Sequence, residues 1–320
     1  MERVIDELEA DQFAVDSTLS DLTAGEGMPP GFNPNSHFAP GVPRLRTLLV
    51  GLSSRAAGGD SDDAADVARV AEIMHLAVVI HDAALGRQGG RRRRVARRLI
   101  RGSAHWLGGN HLSLRALELA RAVPSPEVLG EAMDTMRELA EGHALSEDLR
   151  HRDATEADYR EYAESHSGAL YSFCTRAGGH LGGADRSTIG ALGRYGRHVG
   201  VAWHAVEDQW ILDLEPEEMA RNLARRSATG RPTLPVIRAL NEDPVVDDLL
   251  DRICGGELDV STEFVNRVRR SGGFMAAKKL VVEESMAARR SLRSLPDSPY
   301  VATMDRIAVD LVNGPYSLTV

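Results

Sequence analysis

GALGRYGRHVGVAWHAVEDQWILDL, residues 190–214, decides the class of fold. It is mostly apolar, closes on the acidic residues Glu207, Asp208 and Asp213, and is stopped by Glu215-Pro216. A second stretch, DVARVAEIMHLAVVIHDAAL (66–85), is apolar on most faces and ends in His81-Asp82. A helix that is hydrophobic all round belongs in the middle of a protein, so the two predict buried helices at the centre of an all-α domain. Outward from them, further helices are predicted from Arg44 (RLRTLLVGLSSRAA), over 105–123 (HWLGGNHLSLRALELARAV), from Pro126 through RELAEGHALSEDLR, and over EADYREYAESHSGALYSFCTRAGGHLGG behind a Thr placed as an N-cap. LPVIRALNED, PVVDDLLDRICGG, the run beginning STEFVNRVRR and PYVATMDRIAVDLVNG complete the C-terminal half. Residues 1–27 read as a first helix, 25–43 as a loop rich in Gly, Pro and Asn, and the polar stretch 86–102 as a break. The total is about ten helices, with no strand alternation and no repeat of solenoid length.

Composition agrees with that class. The chain has 320 residues, 42% hydrophobic and 27% charged, enough for one domain over 1–320 with a substantial core. Aromatics are only 5%, and Ala, Leu and Val dominate the apolar set, which favours closely packed helices over aromatic-rich strands. Cys174 and Cys254 match no metal or redox spacing. No apolar run reaches membrane-spanning length and the N-terminus is acidic and amphipathic, so a cytoplasmic protein with no membrane span is expected. Net charge is −9, and Lys278 and Lys279 are the only lysines beside 36 arginines. With that bias, a single arginine is weak testimony for a chosen guanidinium.

Carboxylates at the ends of apolar helices are costly to bury unless paired, protonated or metal-bound, so Asp82, Glu207, Asp208 and Asp213 point to a site at the mouth of a helical cavity. Acids at helix ends that meet only water or arginine remain the plainer alternative.

The order PGVPRLRTLLV, AEIMHLAVVIHDAAL, HWLGGNHLSLRALELA, AEGHALSEDL, HSGALYSFCTRAGGHLGGA, RYGRHVGVAWHAVEDQWILDL, GRPTLPVIRAL is collinear with one family. Over roughly 20–310 the chain resembles the polyprenyl synthetase (trans-isoprenyl diphosphate synthase) family. The resemblance implies an isoprenoid-synthase-type all-α bundle around a deep apolar cavity, commonly a homodimer or a heterodimer with a related synthase. Isopentenyl diphosphate there attacks the carbocation formed from an allylic prenyl diphosphate. Two DDxxD motifs of the family hold Mg²⁺ against the leaving diphosphate, whose charge must be opposed before the C–O bond can ionise.

Set on that pattern, the packing positions are kept and the cation-holding positions are eroded. The first motif retains Asp82 but has Ala83 and Gly86 at its other acidic positions; the second retains Glu207 and Asp208 but has Ile211, with Asp213 two residues late. The resemblance thus implies catalytic and metal-binding roles for Asp82, Glu207 and Asp208, a weakened Mg²⁺ site, and Asp213 as an imperfect substitute about 120° round a continued helix. Arg44 and Arg46 of the substrate-binding segment are kept and its lysine is Pro43; a Lys-Thr becomes His166-Ser167, a Phe-Gln becomes Trp203-His204, and a later lysine becomes Arg231. Ala77 and Val78 replace the bulky cavity-floor residues that limit chain length, which implies room for a long isoprenoid.

Arg87, Arg91–Arg94, Arg97, Arg98 and Arg101 follow the depleted first motif. Arg91 and Arg92 are candidates to grip diphosphate oxygens in place of metal, with a solvated arginine loop as the alternative. Without these eight the net charge would be −17, which argues against extended nucleic-acid binding. His81, His166 and His204 flank the same opening on this alignment, as bases, metal ligands or hydrogen-bonded rim residues. Three functional readings follow: a divergent prenyltransferase or terpenoid-forming enzyme; a non-catalytic subunit that modulates an active synthase; and a cavity adapted to cyclise another apolar intermediate without diphosphate ionisation.

Overall fold

A computed structural model describes residues 45–59, 63–85, 95–148, 154–209, 214–228 and 233–313. The expected helix over 1–27, the loop over 25–43 and most of the arginine-rich loop lie outside them. Helices α1 (Leu45–Ala56), α2 (Ala64–Leu85), α3 (Val95–Ala122) and α4 (Pro126–Asp148) are followed by α5 (Glu156–Ala163), a π-helical turn (Glu164–Gly168) and α6 (Ala169–Leu181). Then come α7 (Arg186–Glu207), α8 (Pro216–Ala228), α9 (Leu234–Glu242), α10 (Pro244–Gly255), α11 (Ser261–Arg270), α12 (Gly273–Leu292) and α13 (Pro299–Asn313). No strand occurs among the described residues, and no helix there is long and apolar enough to cross a membrane.

α2 is the buried helix its sequence predicts. Val67, Val70, Ile73, Met74, Ala77 and Ile80 all have almost no exposed surface, and the helix packs between α1 and α3. α5 starts where predicted. The Thr155 hydroxyl accepts from the Asp158 amide, and the Asp158 carboxylate accepts from the Thr155 amide at 2.8 Å, closing a capping box. α3 departs from expectation, because the stretch from Val95 is helical where a break was expected. VARRLIR has strong helix formers and no Gly or Pro, and this outweighs its charge density.

α7 is the second axis, packed against α6 and α12. Its approach to α6 depends on absent side chains. A Cβ on Gly196 would lie 2.3 Å from Thr175 Oγ1 and 2.4 Å from the Tyr171 carbonyl oxygen; one on Gly200 would lie 2.4 Å from the Ser167 carbonyl oxygen. One polar anchor secures the contact, Thr175 Oγ1 donating to Leu192 O at 2.7 Å, and a second ties α7 to α13, the fully buried Tyr195 donating to Met304 O at 2.7 Å. A smaller second core under α8–α11 is built on Leu223, Val236, Leu249, Phe264 and Val268.

Gly196→Ala is expected to force α6 and α7 apart and to destabilise the protein by about 1–3 kcal/mol, the usual cost of overpacking. A urea-unfolding midpoint unchanged from the parent would contradict the close approach.

Candidate functional site

α7 does not run to residue 214. It ends at Glu207, with Asp208 as its C-cap; the expected offset of Asp213 from the Glu207 face falls on Ile211 and Asp213, which lie outside the described residues. Asp208 stands at that end. Its side chain is fully buried, with Oδ1 accepting from Arg226 of α8 at 2.6 Å, and Oδ2 accepting from the Tyr159 hydroxyl of α5 at 2.7 Å and from the Leu234 amide that opens α9 at 3.1 Å. Burial raises the Asp208 carboxyl above the ordinary range, opposed by Arg226, Tyr159 and Leu234. Its place at a helix C-terminus, where the backbone dipole is negative, is also unfavourable to an anion. Burial likewise raises the Tyr159 phenol well above its usual value, as do Asp208 and Glu207, so it stays protonated and donates.

Glu207 is only partly buried and, among the described residues, accepts through Oε1 from Trp203 Nε1 at 3.0 Å. Its carboxyl too is raised, first by desolvation and also by Asp208, against Arg226, Arg46 and the Trp203 hydrogen bond. The influence of Arg46 places the N-terminal end of α1 in the same electrostatic neighbourhood as the end of α7. Arg46 itself pairs with the buried Glu72 of α2 at 2.8 Å, and its guanidinium lies 6.0 Å from the Tyr171 ring centroid. Burial works against that charge, but Glu72 and the surroundings more than offset it and hold Arg46 ionised. Buried unlike charges paired in this way are coherent; either alone would be expensive.

Beside the carboxylates runs a row of imidazoles. His81 (α2), His143 (α4), His166 (π turn) and His204 (α7) have successive ring centroids 5.7, 6.3 and 5.8 Å apart. Trp106 lies 5.1 Å from His81 at one end, and Tyr159 and Tyr162 each 5.6 Å from His204 at the other. His81 Nε2 meets Asn110 Oδ1 at 3.1 Å, and His143 Nδ1 meets Leu139 O at 2.9 Å. A carbonyl only accepts, so His143 carries its proton on Nδ1. Ser167 Oγ lies between two rings, 2.9 Å from His204 Nδ1 and 3.3 Å from His166 Nδ1.

The structure therefore brings Arg46, Glu207, Asp208, His166 and His204 to one end of the bundle. Ala77 and Val78 are buried on α2. Asp82 lies on the last turn of α2, but its side chain is outside the described residues, as are Arg44, Arg91, Arg92, Asp213 and Arg231 entirely. Sequence reading missed Arg226, Tyr159, Glu72 and His143, and named Ser167 only beside His166 at a family Lys-Thr position. Tyr159 and Tyr162 at i, i+3 carry a detectable signal of a shared face. Arg226, one of 36 arginines, carries none.

Residues 33–268 match the sequence profile of the Polyprenyl synthetase family. The short chain isoprenyl diphosphate synthase of Methanothermobacter thermautotrophicus is 29% identical over 266 residues, 81% of this chain and 82% of that protein. The octaprenyl diphosphate synthase of Escherichia coli is 24% identical over 265 residues, with the same shares of the two chains. Among solved structures, polyprenyl synthase from Caulobacter crescentus, complexed with calcium and isoprenyl diphosphate, superposes with a TM-score of 0.79 at 25% identity over 97% of each chain. The decaprenyl diphosphate synthase of Rhodobacter capsulatus gives a TM-score of 0.76 at 24% identity over 98% of each chain and shares the fold. With a family match spanning most of its length, the chain belongs to the polyprenyl synthetase family.

Proposed function

We propose that this chain is a divergent prenyltransferase or terpenoid-forming enzyme that acts on allylic prenyl diphosphates with a weakened Mg²⁺ site. The observation that supports the weakened site is the engagement of Asp208: a guanidinium bonds to one of its oxygens, and a phenol and an amide to the other. No group of three or more His, Cys, Asp or Glu side chains among the described residues is disposed to hold a metal ion. Glu207 and Asp82 are then the carboxylates left to hold Mg²⁺, with Asp213 as a further candidate. Bound there, Mg²⁺ would neutralise charge on the departing diphosphate. A pair of carboxylates suits one hydrated ion better than a three-metal cage.

The chain's own cations supply the rest. Arg46 is held ionised by Glu72. Arg44, Arg91, Arg92 and Arg231 are assigned to the diphosphates with it, since guanidinium groups grip phosphate oxygens through paired hydrogen bonds. His166 and His204 are assigned to the same substrate end. Ala77 and Val78 are small enough to leave a long isoprenoid room on α2. A homodimer and a cytoplasmic location belong to the same reading, by analogy with the family.

Incubation with isopentenyl diphosphate and C5, C10, C15 or C20 allylic diphosphates, read by mass spectrometry with and without Mg²⁺, tests it. Elongated or cyclised product that depends on Mg²⁺ is expected, with a loss of at least about 10²-fold in Asp82→Ala and Glu207→Gln, the scale seen when one charge-stabilising group is removed. No product from any of these allylic partners would favour the non-catalytic subunit instead.

Arg226→Gln isolates the internal cation. A buried carboxylate that keeps Tyr159 and the Leu234 amide but loses its counter-charge is expected to cost up to about 3–5 kcal/mol at neutral pH. A carboxyl raised in the folded state is tolerated best while protonated, so this cost should shrink as the pH falls through the raised value of Asp208. Millimolar Mg²⁺ should also raise the melting temperature more in the variant than in the parent. Equal Mg²⁺ responses would mean that Arg226 does not compete with metal for Asp208.

A further inference from the structure

We propose that the groove between α7 and the C-terminal end of α12 is a binding site for a compact polyanion, a small molecule that carries clustered phosphate groups. The proposal is independent of the activity proposed above.

The groove has a volume of about 550 Å³ and is lined by Arg194 and His198 of α7 and by Arg290, Ser291, Arg293 and Ser294 at the end of α12. That volume suits a small molecule, but the lining is the reverse of an apolar tunnel. It contains no carboxylate, and Ala287 is its only apolar residue. Arg194 stands more than three turns before Glu207, about 20 Å along the α7 axis, so the groove is separate from the carboxylate end of that helix.

Unbalanced charge sets the groove apart. Arginines next to it are matched to acids: Arg289 to Asp305 of α13 through hydrogen bonds of 2.7 and 3.1 Å, and Arg197 to Glu138 of α4. Arg194, Arg290 and Arg293, which line it, have no carboxylate partner among the described residues. The buried Glu284 of α12 is already committed, accepting from His198 Nδ1 at 2.7 Å and from Arg160 of α5. In doing so it ties α12 to both α7 and α5, which holds the two walls in place before a ligand arrives.

Three guanidinium groups around one depression repel one another, and a bound polyanion removes that cost. The chain carries a net charge of −9, so no general excess of positive charge accounts for the cluster, and the same charge disfavours extended nucleic acid. Guanidinium groups present paired N–H donors that match phosphate oxygens, and three together suit an anion with several such oxygens. Arg290 and Arg293 also oppose the negative end of the α12 dipole, but Arg194 lies within α7 and has no helix end to serve.

The test titrates the full chain, in EDTA and at constant ionic strength, with inorganic diphosphate and with a nucleoside triphosphate. Calorimetry reads affinity, and hydrogen–deuterium exchange reads where binding occurs. Protection over residues 194–198 and 287–294 is expected, with affinity at the groove weakened at least about tenfold in Arg194→Gln and in Arg290→Gln, the scale of one lost charged hydrogen bond. Arg194→Lys should recover part of the loss, since it keeps the charge without the fork. Tighter binding of the nucleotide would assign the ligand to an organic phosphate, and tighter binding of diphosphate to the inorganic one. Diphosphate bound at the carboxylate end of α7 is common to parent and variants and lies outside the protected segments. Equal affinity in parent and variants, or binding that sodium sulfate reproduces at the same ionic strength, would overturn the site. A lower melting temperature in Arg290→Gln with affinity unchanged would show that the arginine serves only the helix end, and would overturn it too.

Discussion

A single buried carboxylate ties together the functional end of this molecule. Asp208 joins the end of α7 to α5 through Tyr159, to α8 through Arg226 and to the start of α9 through the Leu234 amide. A charged group without surface exposure is tolerable only when its oxygens are satisfied, and here three donors from three elements do so. The arrangement also fixes the geometry of its neighbours. Glu207 is held at the last residue of α7, Tyr159 is placed against His204, and the small core beneath α8–α11 is docked on the main bundle through Arg226 and Leu234.

On the function proposed above, the same constraint is what would let a chain of this family keep its shape with fewer acidic residues. A metal cage and a guanidinium are both ways of balancing a buried carboxylate, but they differ in what they leave for a ligand. An ion with open coordination positions can bridge protein and diphosphate, whereas an arginine already bonded to Asp208 spends its charge internally. Arg46 with Glu72 repeats the pattern at the end of α1. Both pairs tie separate helices together; on the proposed function, substrate charge is then met by other cations.

The fold was legible in the sequence because its signals are local and periodic. The apolar run of 66–85, the Thr155 cap and the Pro and Gly punctuation each predict an element found in the structure. The missed features depend on distant contacts. At the end of α7 the Asp208 carboxylate is bonded to partners 18, 26 and 49 residues away, which no window of neighbouring residues contains. The helical start of α3 was hidden by its charge, although its residues are good helix formers. At the candidate site, Glu207 and Asp208 stand out as acids ending an apolar helix, and His166 and His204 by position against a family pattern. Ser167 and His143 gain meaning only when four helices bring their side chains together.

The π-helical turn has a consequence for the rod that contains it. One surplus residue in a helical ladder advances the angular phase of everything that follows, so α5 and α6 act as two gears on one shaft, set at different angles. The first presents Tyr159 and Tyr162 to the imidazole end of the bundle, while the second turns Tyr171, Cys174 and Thr175 into the hydrophobic interior. Deleting any one residue between Glu164 and Gly168 would bring the gears back into step and swing one of those faces out of mesh.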